Sequence, residues 1–179
     1  MRPGFDRDLD EPPSWAYLLL SLRDCGNFIA ELMSIGASLS TSSTTPSFAP
    51  MLGPGGPEPS YTQYYGLDVY SRAVREGRVT ASGNSGRIGD VTTYGTTRNH
   101  STISWNTEFY ALSRDDAARH MIHESLHLIQ GLTDFALAGA AHIMATRGTN
   151  NPGNSGSFTS QSAASQYLNQ EIAQHCGGN

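Results

Sequence analysis

Lysine is absent from this chain of 179 residues, and its eleven basic residues, all arginine, are scattered against a net charge of −5. A surface that grips phosphate backbones needs clustered positive charge, so nucleic acid is excluded as a partner. No apolar run approaches the roughly 20 residues of a membrane span, and the longest, Trp15 to Leu20, is also short for a signal-peptide core. The residues before it carry Asp6, Asp8, Asp10 and Glu11 where a signal peptide would be basic. No membrane segment and no Sec-type address is therefore expected, and export would need another route or a larger polypeptide. Only two cysteines occur, Cys25 and Cys176, and their spacing excludes a zinc ribbon and a thioredoxin-like site. They are either one long-range disulfide or two separate buried thiols.

Charged residues make up only 15% of the chain, and 19 Gly and 9 Pro lie among many Ser, Thr and Asn. This composition describes a folded but loop-rich globule. The length suits one domain with a real core. Residues 1–13 read as a flexible lead-in, residues 14–179 as one domain, and residues 37–60 and 147–162 as mobile Gly/Ser/Pro/Asn loops.

The coarse pattern is α+β. Trp15, Leu18, Leu19 and Leu22, then Phe28, Ile29, Leu32, Met33 and Ile35, recur at helical spacing, with a break expected at Cys25-Gly26 and a stop at Gly36. Leu67, Tyr70 and Val74 share a helical face closed by Gly77, although the aromatic run from Tyr61 suits a strand equally well. Arg78-Val79-Thr80, Ile88 to Tyr94 and Ser101 to Trp105 have the β-branched character of short strands, so a small, mostly antiparallel sheet is expected. Ser113 is a good N-cap, and Asp115 and Asp116 suit the positive end of a helix dipole, which predicts a long helix from Arg114 to Gln130 with Gly131 as its C-terminal cap. Further helices are expected from Thr133 or Asp134 to about Thr146, and from Ser162 to His175 with Ala164, Leu168 and Ile172 inward.

The long helix contains His123-Glu124-Ser125-Leu126-His127, a His-Glu-x-x-His motif. Residues four apart on a helix differ by about 40° around the axis and about 6 Å along it, so both imidazoles can meet one ion. Zinc accepts such nitrogens at roughly 2.0–2.1 Å in a tetrahedral set. Glu124 lies about 60° from His127 around the helix, beside the metal position instead of on it. There its carboxylate can act as general base toward water, giving a zinc-dependent hydrolase. By chance the bare motif should occur in roughly one chain of this length in two hundred, so context must decide. The capped helix, the strand-like segment before it and the apolar face of Ile122, Leu126 and Ile129 supply that context.

Two residues compete for the third ligand position. Asp134 follows the Gly131 break, eleven residues beyond His123, in a pattern like the metzincin His-Glu-x-x-His-x-x-Gly-x-x-His/Asp arrangement but with one extra residue before the glycine. Asp134 is equally explained as an acid in the first turn of the next helix. Glu171 sits on a later helix, the source of the third ligand in thermolysin-like peptidases, and its bland reading is a solvated surface charge. His142 and His175 complete the field. His120, one turn before His123, is a ligand, an outer partner or a partly exposed helix residue. Tyr94, Tyr110 and His120 are candidates to stabilise an oxyanion.

Thr102-Ile103-Ser104-Trp105, Phe109-Tyr110-Ala111-Leu112-Ser113, Ile122 to His127 and Gly131-Leu132-Thr133-Asp134-Phe135-Ala136-Leu137-Ala138 together resemble the zincin-like metallopeptidase modules at the C-termini of bacterial Rhs-type proteins. The similarity spans residues 88–140, with Asp24-Cys25 and Cys176 as looser matches. It implies a zincin-like fold and proteolysis, in a role as the toxic tip of a secreted polypeptide. Neither the repeat region nor the hydrophobic Pro-containing junction of such proteins is in this sequence. The resemblance runs through Asp134 and favours it.

The expectation is thus a zincin-like domain that binds Zn2+ through His123, His127 and Asp134, uses Glu124 as base, and acts on a peptide or protein. Two alternatives stand beside it: a noncatalytic, zinc-stabilised binding module, and a hydrolase of a non-peptide amide or ester.

Overall fold

The computed structural model describes residues 14–41, 61–147 and 158–177. The predicted lead-in lies outside these residues, as does most of the two predicted loops. The chain is α+β. Helices α1 (Ser14–Ser21) and α2 (Arg23–Thr41) come first, then α3 (Tyr65–Arg75) and five short strands: β1 (Val79–Ala81), β2 (Arg87–Ile88), β3 (Val91–Thr92), β4 (Gly95–Arg98) and β5 (Thr102–Trp105). A 3-10 turn at Thr107–Ala111 leads into α4 (Arg114–His127), α5 (Asp134–Thr146) and α6 (Gln161–Cys176).

The first helical pair breaks at Leu22, not at Cys25-Gly26, and α2 runs through Gly36 to Thr41, so the first five residues of the expected loop are helical. Gly36 lies inside the protein against the side chains of Leu132 and Leu137, and tertiary packing there overrides glycine's tendency to end a helix. The aromatic stretch after Tyr61 resolves as helix, with Leu67, Tyr70, Ala73 and Val74 buried along one face of α3.

Strands β1, β5 and β4 form one sheet in that order, β1 parallel to β5 and β4 antiparallel to it, while β2 and β3 make a separate antiparallel hairpin. β5 is the central strand, and it buries Ile103 and Trp105. Trp105 stacks on Phe109 at 3.9 Å and donates its indole N–H to the Tyr70 hydroxyl at 3.2 Å, tying the sheet to α3. β4 is an edge strand that the sequence reading missed.

Helix α4 touches α1, α3, α6 and β4, and it buries Ala117, Ala118, Met121, Ile122 and Leu126. Its start is as the sequence implies, with the Ser113 hydroxyl accepting the Asp116 N–H at 3.2 Å. It stops at His127 instead of Gln130. Past it the bonds Leu128 N–H to Ser125 and Ile129 N–H to Leu126 span three residues, a tightened final turn, and Gly131 takes φ +85° to reverse the chain. Thr133 then caps α5, accepting the Ala136 N–H at 3.2 Å. Of the two cysteine readings, the disulfide is the one formed: Cys25 on α2 is bonded to Cys176 on α6 across a sequence separation of 151. No helix among the described residues is long and apolar enough to cross a membrane.

Candidate metal centre

His123 and His127 stand on the buried side of α4, one turn apart, with their Nε2 atoms 3.0 Å from each other. Asp134 occupies the first position of α5, and the reversal at Gly131 brings that helix start back over the two rings. Asp134 Oδ1 lies 3.2 Å from each Nε2. The chain reaches Gly131 through the tightened turn after His127, with three residues between that histidine and the glycine. All three side chains are buried, and among the described residues they are the group of donors able to share one ion.

The triangle of 3.0, 3.2 and 3.2 Å can be tested against a metal. Tetrahedral zinc with ligands at roughly 2.0–2.1 Å places its donor atoms about 3.3 Å apart. The residues fit.

The outer partners fix which atoms face inward. His127 Nδ1 lies 2.8 Å from the Leu132 carbonyl and His123 Nδ1 lies 2.7 Å from Asn169 Oδ1. A carbonyl oxygen only accepts, so each Nδ1 must carry the proton, and in the neutral ring each Nε2 is then a bare lone pair. Gln161 donates to Asp134 Oδ2 at 3.1 Å, leaving Oδ1 for the centre. Two lone pairs and a carboxylate oxygen converging at this range repel unless a cation stands among them.

In the absence of an ion, a proton takes that place. Burial works against charge on His127, yet the hydrogen bond to Asp134, the nearby Glu124 and Asp134 charges and the Leu132 carbonyl together push its pKa up to about 9. Burial likewise opposes the Asp134 carboxylate, but the adjacent His123 and His127 imidazoles hold it well below the usual range.

Glu124 lines the same cleft, a space of about 560 Å³ walled by residues from Asp90 to Thr97, by α4 and by α6. Its Oε2 accepts a hydrogen bond from the Thr97 hydroxyl at 2.6 Å. Tyr94 and His120 also line the cleft, with ring centroids 4.3 Å apart. Burial, and secondarily the neighbouring His123, lower the His120 pKa to about 4, so its ring is neutral at ordinary pH.

Other candidates fall elsewhere. Glu171 is outside the donor group and the cleft lining, and its carboxylate is 3.9 Å from His175 Nε2. His175 stacks on Phe28 at 4.2 Å, and His142 faces Tyr167 at 6.2 Å. Tyr110 meets Phe109 edge-on and is not a cleft residue. Several participants went unnoticed in the sequence: Thr97, Asn169, Gln161 and His100, whose Nδ1 donates to the His127 carbonyl at 2.6 Å. One signal existed for α6. Gln161, Ser165 and Asn169 recur every four residues, a polar stripe beside the buried stripe of Ala164, Leu168, Ile172 and Cys176. No protein-family model, curated protein or solved structure matches the chain.

Proposed function

We propose that this chain is a zinc-dependent hydrolase, a zincin-like metallopeptidase in which His123, His127 and Asp134 hold the ion and Glu124 is the general base. The observation that carries the reading is the convergence of three buried donors whose outer partners leave two imidazole lone pairs and one carboxylate oxygen facing a single point. When bound, zinc supplies a Lewis acid that makes water more acidic and polarises a carbonyl.

Three protein donors, with no fourth among the described residues, leave a coordination position open, which favours catalysis over a closed structural site. Glu124 stands in the cleft without joining the donor group, as a base must. Its carboxylate takes a proton from the attacking water and returns it to the departing amine nitrogen. Tyr94 and the neutral His120 can donate to the oxygen of the attacked carbonyl.

The choice of a peptide rests on two features of the cleft. None of the described residues that line it is an arginine, so a phosphoester would find no cationic side chain. One wall is the edge strand β4, paired only with β5 among the described residues, and an extended peptide can add to such an edge through main-chain hydrogen bonds. The Cys25–Cys176 disulfide suits an oxidising compartment, which supports export and the relation to secreted toxin modules.

The test combines elemental analysis with cleavage of an unfolded-protein or peptide library followed by mass spectrometry. The purified chain should hold about one zinc, and His123→Ala with His127→Ala should remove it. Cleavage should vanish on chelation and fall by about 10²–10⁴-fold in Glu124→Gln at unchanged zinc content. Iron in place of zinc, or metal persisting in the double histidine variant, would overturn the metal assignment. Cleavage undiminished in Glu124→Gln would overturn the mechanism.

A further inference from the structure

Glu124 meets two residues on one face of strand β4. Gly95 and Thr97 are two apart and so point the same way, toward α4, while Thr96 and Arg98 are exposed on the other face. A Cβ at Gly95 would stand 3.3 Å from Glu124 Cγ and 2.6 Å from two atoms of the Trp105 ring. The stem of the glutamate therefore crosses the strand at the one position that has no side chain. One step further along that face, Thr97 Oγ1 lies 2.6 Å from Glu124 Oε2 and 3.3 Å from the Glu124 main-chain oxygen. Both oxygens only accept, and the hydroxyl has a single proton to give. It goes to the carboxylate, the nearer acceptor and the charged one.

We propose that Thr97 is the positioning residue of the base, pinning Oε2 so that Oε1 alone handles protons. This rests on the reading of Glu124 as base. A glutamate has three rotatable side-chain bonds, and a base whose head wanders is aligned for only part of the time. With Oε2 fixed, Oε1 accepts the proton as the water oxygen bonds to the carbonyl carbon. The same proton then passes to the amine nitrogen as the C–N bond breaks, and the Thr97 proton stays on its own oxygen throughout. The donor sits on the strand that walls the cleft, so the element that faces the substrate also aims the base.

The test uses the zinc-loaded chain with Thr97→Val, which keeps the shape and loses the hydroxyl, and Thr97→Ser, which keeps the hydroxyl. Zinc content should be unchanged in both. In protein labelled with 13C at the glutamate carboxyl, the Glu124 resonance is identified by its loss in Glu124→Gln. It should move in Thr97→Val and return toward the parent position in Thr97→Ser. On any library peptide that the parent cleaves, Thr97→Val should lower kcat by roughly 10–100-fold with KM little changed, and serine should restore it. An unmoved Glu124 resonance in Thr97→Val, or a loss of kcat that serine fails to rescue, overturns the proposal. A parent that cleaves nothing sinks the peptidase reading by itself, and the carboxyl resonance still decides whether Thr97 holds Glu124.

Discussion

Replacing Asp134 by asparagine keeps the size of the side chain and its place at the start of α5, but removes the charge that faces His123 and His127. In the metal-free chain that charge helps to hold a proton on His127, whose pKa is about 9. At pH 7 nearly every His127 is then protonated, and an incoming zinc must displace about one proton. The deprotonated fraction then rises from about 1% at pH 7 to about half at pH 9, so the apparent zinc affinity of the parent should rise about 50-fold between them. The folding linkage has the same sign: a raised histidine pKa stabilises the metal-free fold below about pH 6.5, and this contribution is lost as pH climbs through 9. Asp134→Asn should weaken binding through the lost ligand. Structural zinc sites yield about 10–16 kcal/mol, or about 3–4 kcal/mol for each of four ligands, which is roughly 10²–10³-fold in affinity. The variant should also release well under one proton at pH 7. Calorimetry at pH 7 in buffers of different ionisation enthalpy counts the protons, and competition with a chelator gives the affinity. A parent that releases no proton, or an Asp134→Asn that binds zinc as tightly as Glu171→Gln, would refute the reasoning.

Three further expectations concern the surroundings of the site. Asn169→Ala removes the partner that orients His123 and should weaken zinc by about 10–100-fold in the same competition titration; unchanged affinity would mean that the ring is held by something else. Cys25→Ala with Cys176→Ala opens a loop of 151 residues and should lower stability by roughly 2–5 kcal/mol in a denaturant titration, with reductant reproducing the loss; a midpoint indifferent to reductant would show that the bridge contributes nothing. Gly95→Ala forces a methyl group to within 2.6 Å of the buried Trp105 ring and should cost about 1–3 kcal/mol, and parental stability would show that strand and ring can separate freely.

Much of the site was legible because its central piece is local. The four-residue spacing of His123 and His127 and the buried Ile122, Leu126 and Ile129 follow from helical periodicity, and the Ser113 cap from residue type, all of which a sequence states directly. The start of α5 at Thr133 or Asp134 was legible as well, and the structure makes Thr133 its cap. Strand β4 was not. Its inward positions are Gly95 and Thr97, so it has no alternation of apolar residues to mark it, and its reason for being a strand lies in the pairing with β5 and the space it leaves for Trp105 and Glu124.

By itself, then, the sequence determined that two imidazoles and a carboxylate share one turn and a half of helix, and it left the third donor open among Asp134, Glu171, His142 and His175. Only the tertiary structure decided which carboxylate faces the rings, through the tightened turn after His127 and the reversal at Gly131. It also decided that Cys25 and Cys176 are joined, and that Asn169 and Gln161 stand behind His123 and Asp134. These residues come from elements far apart in the chain, and no local period records how α2, α4, α5 and α6 pack. Their meeting is set by which apolar faces bury against one another, and the polar groups are carried into place by that packing.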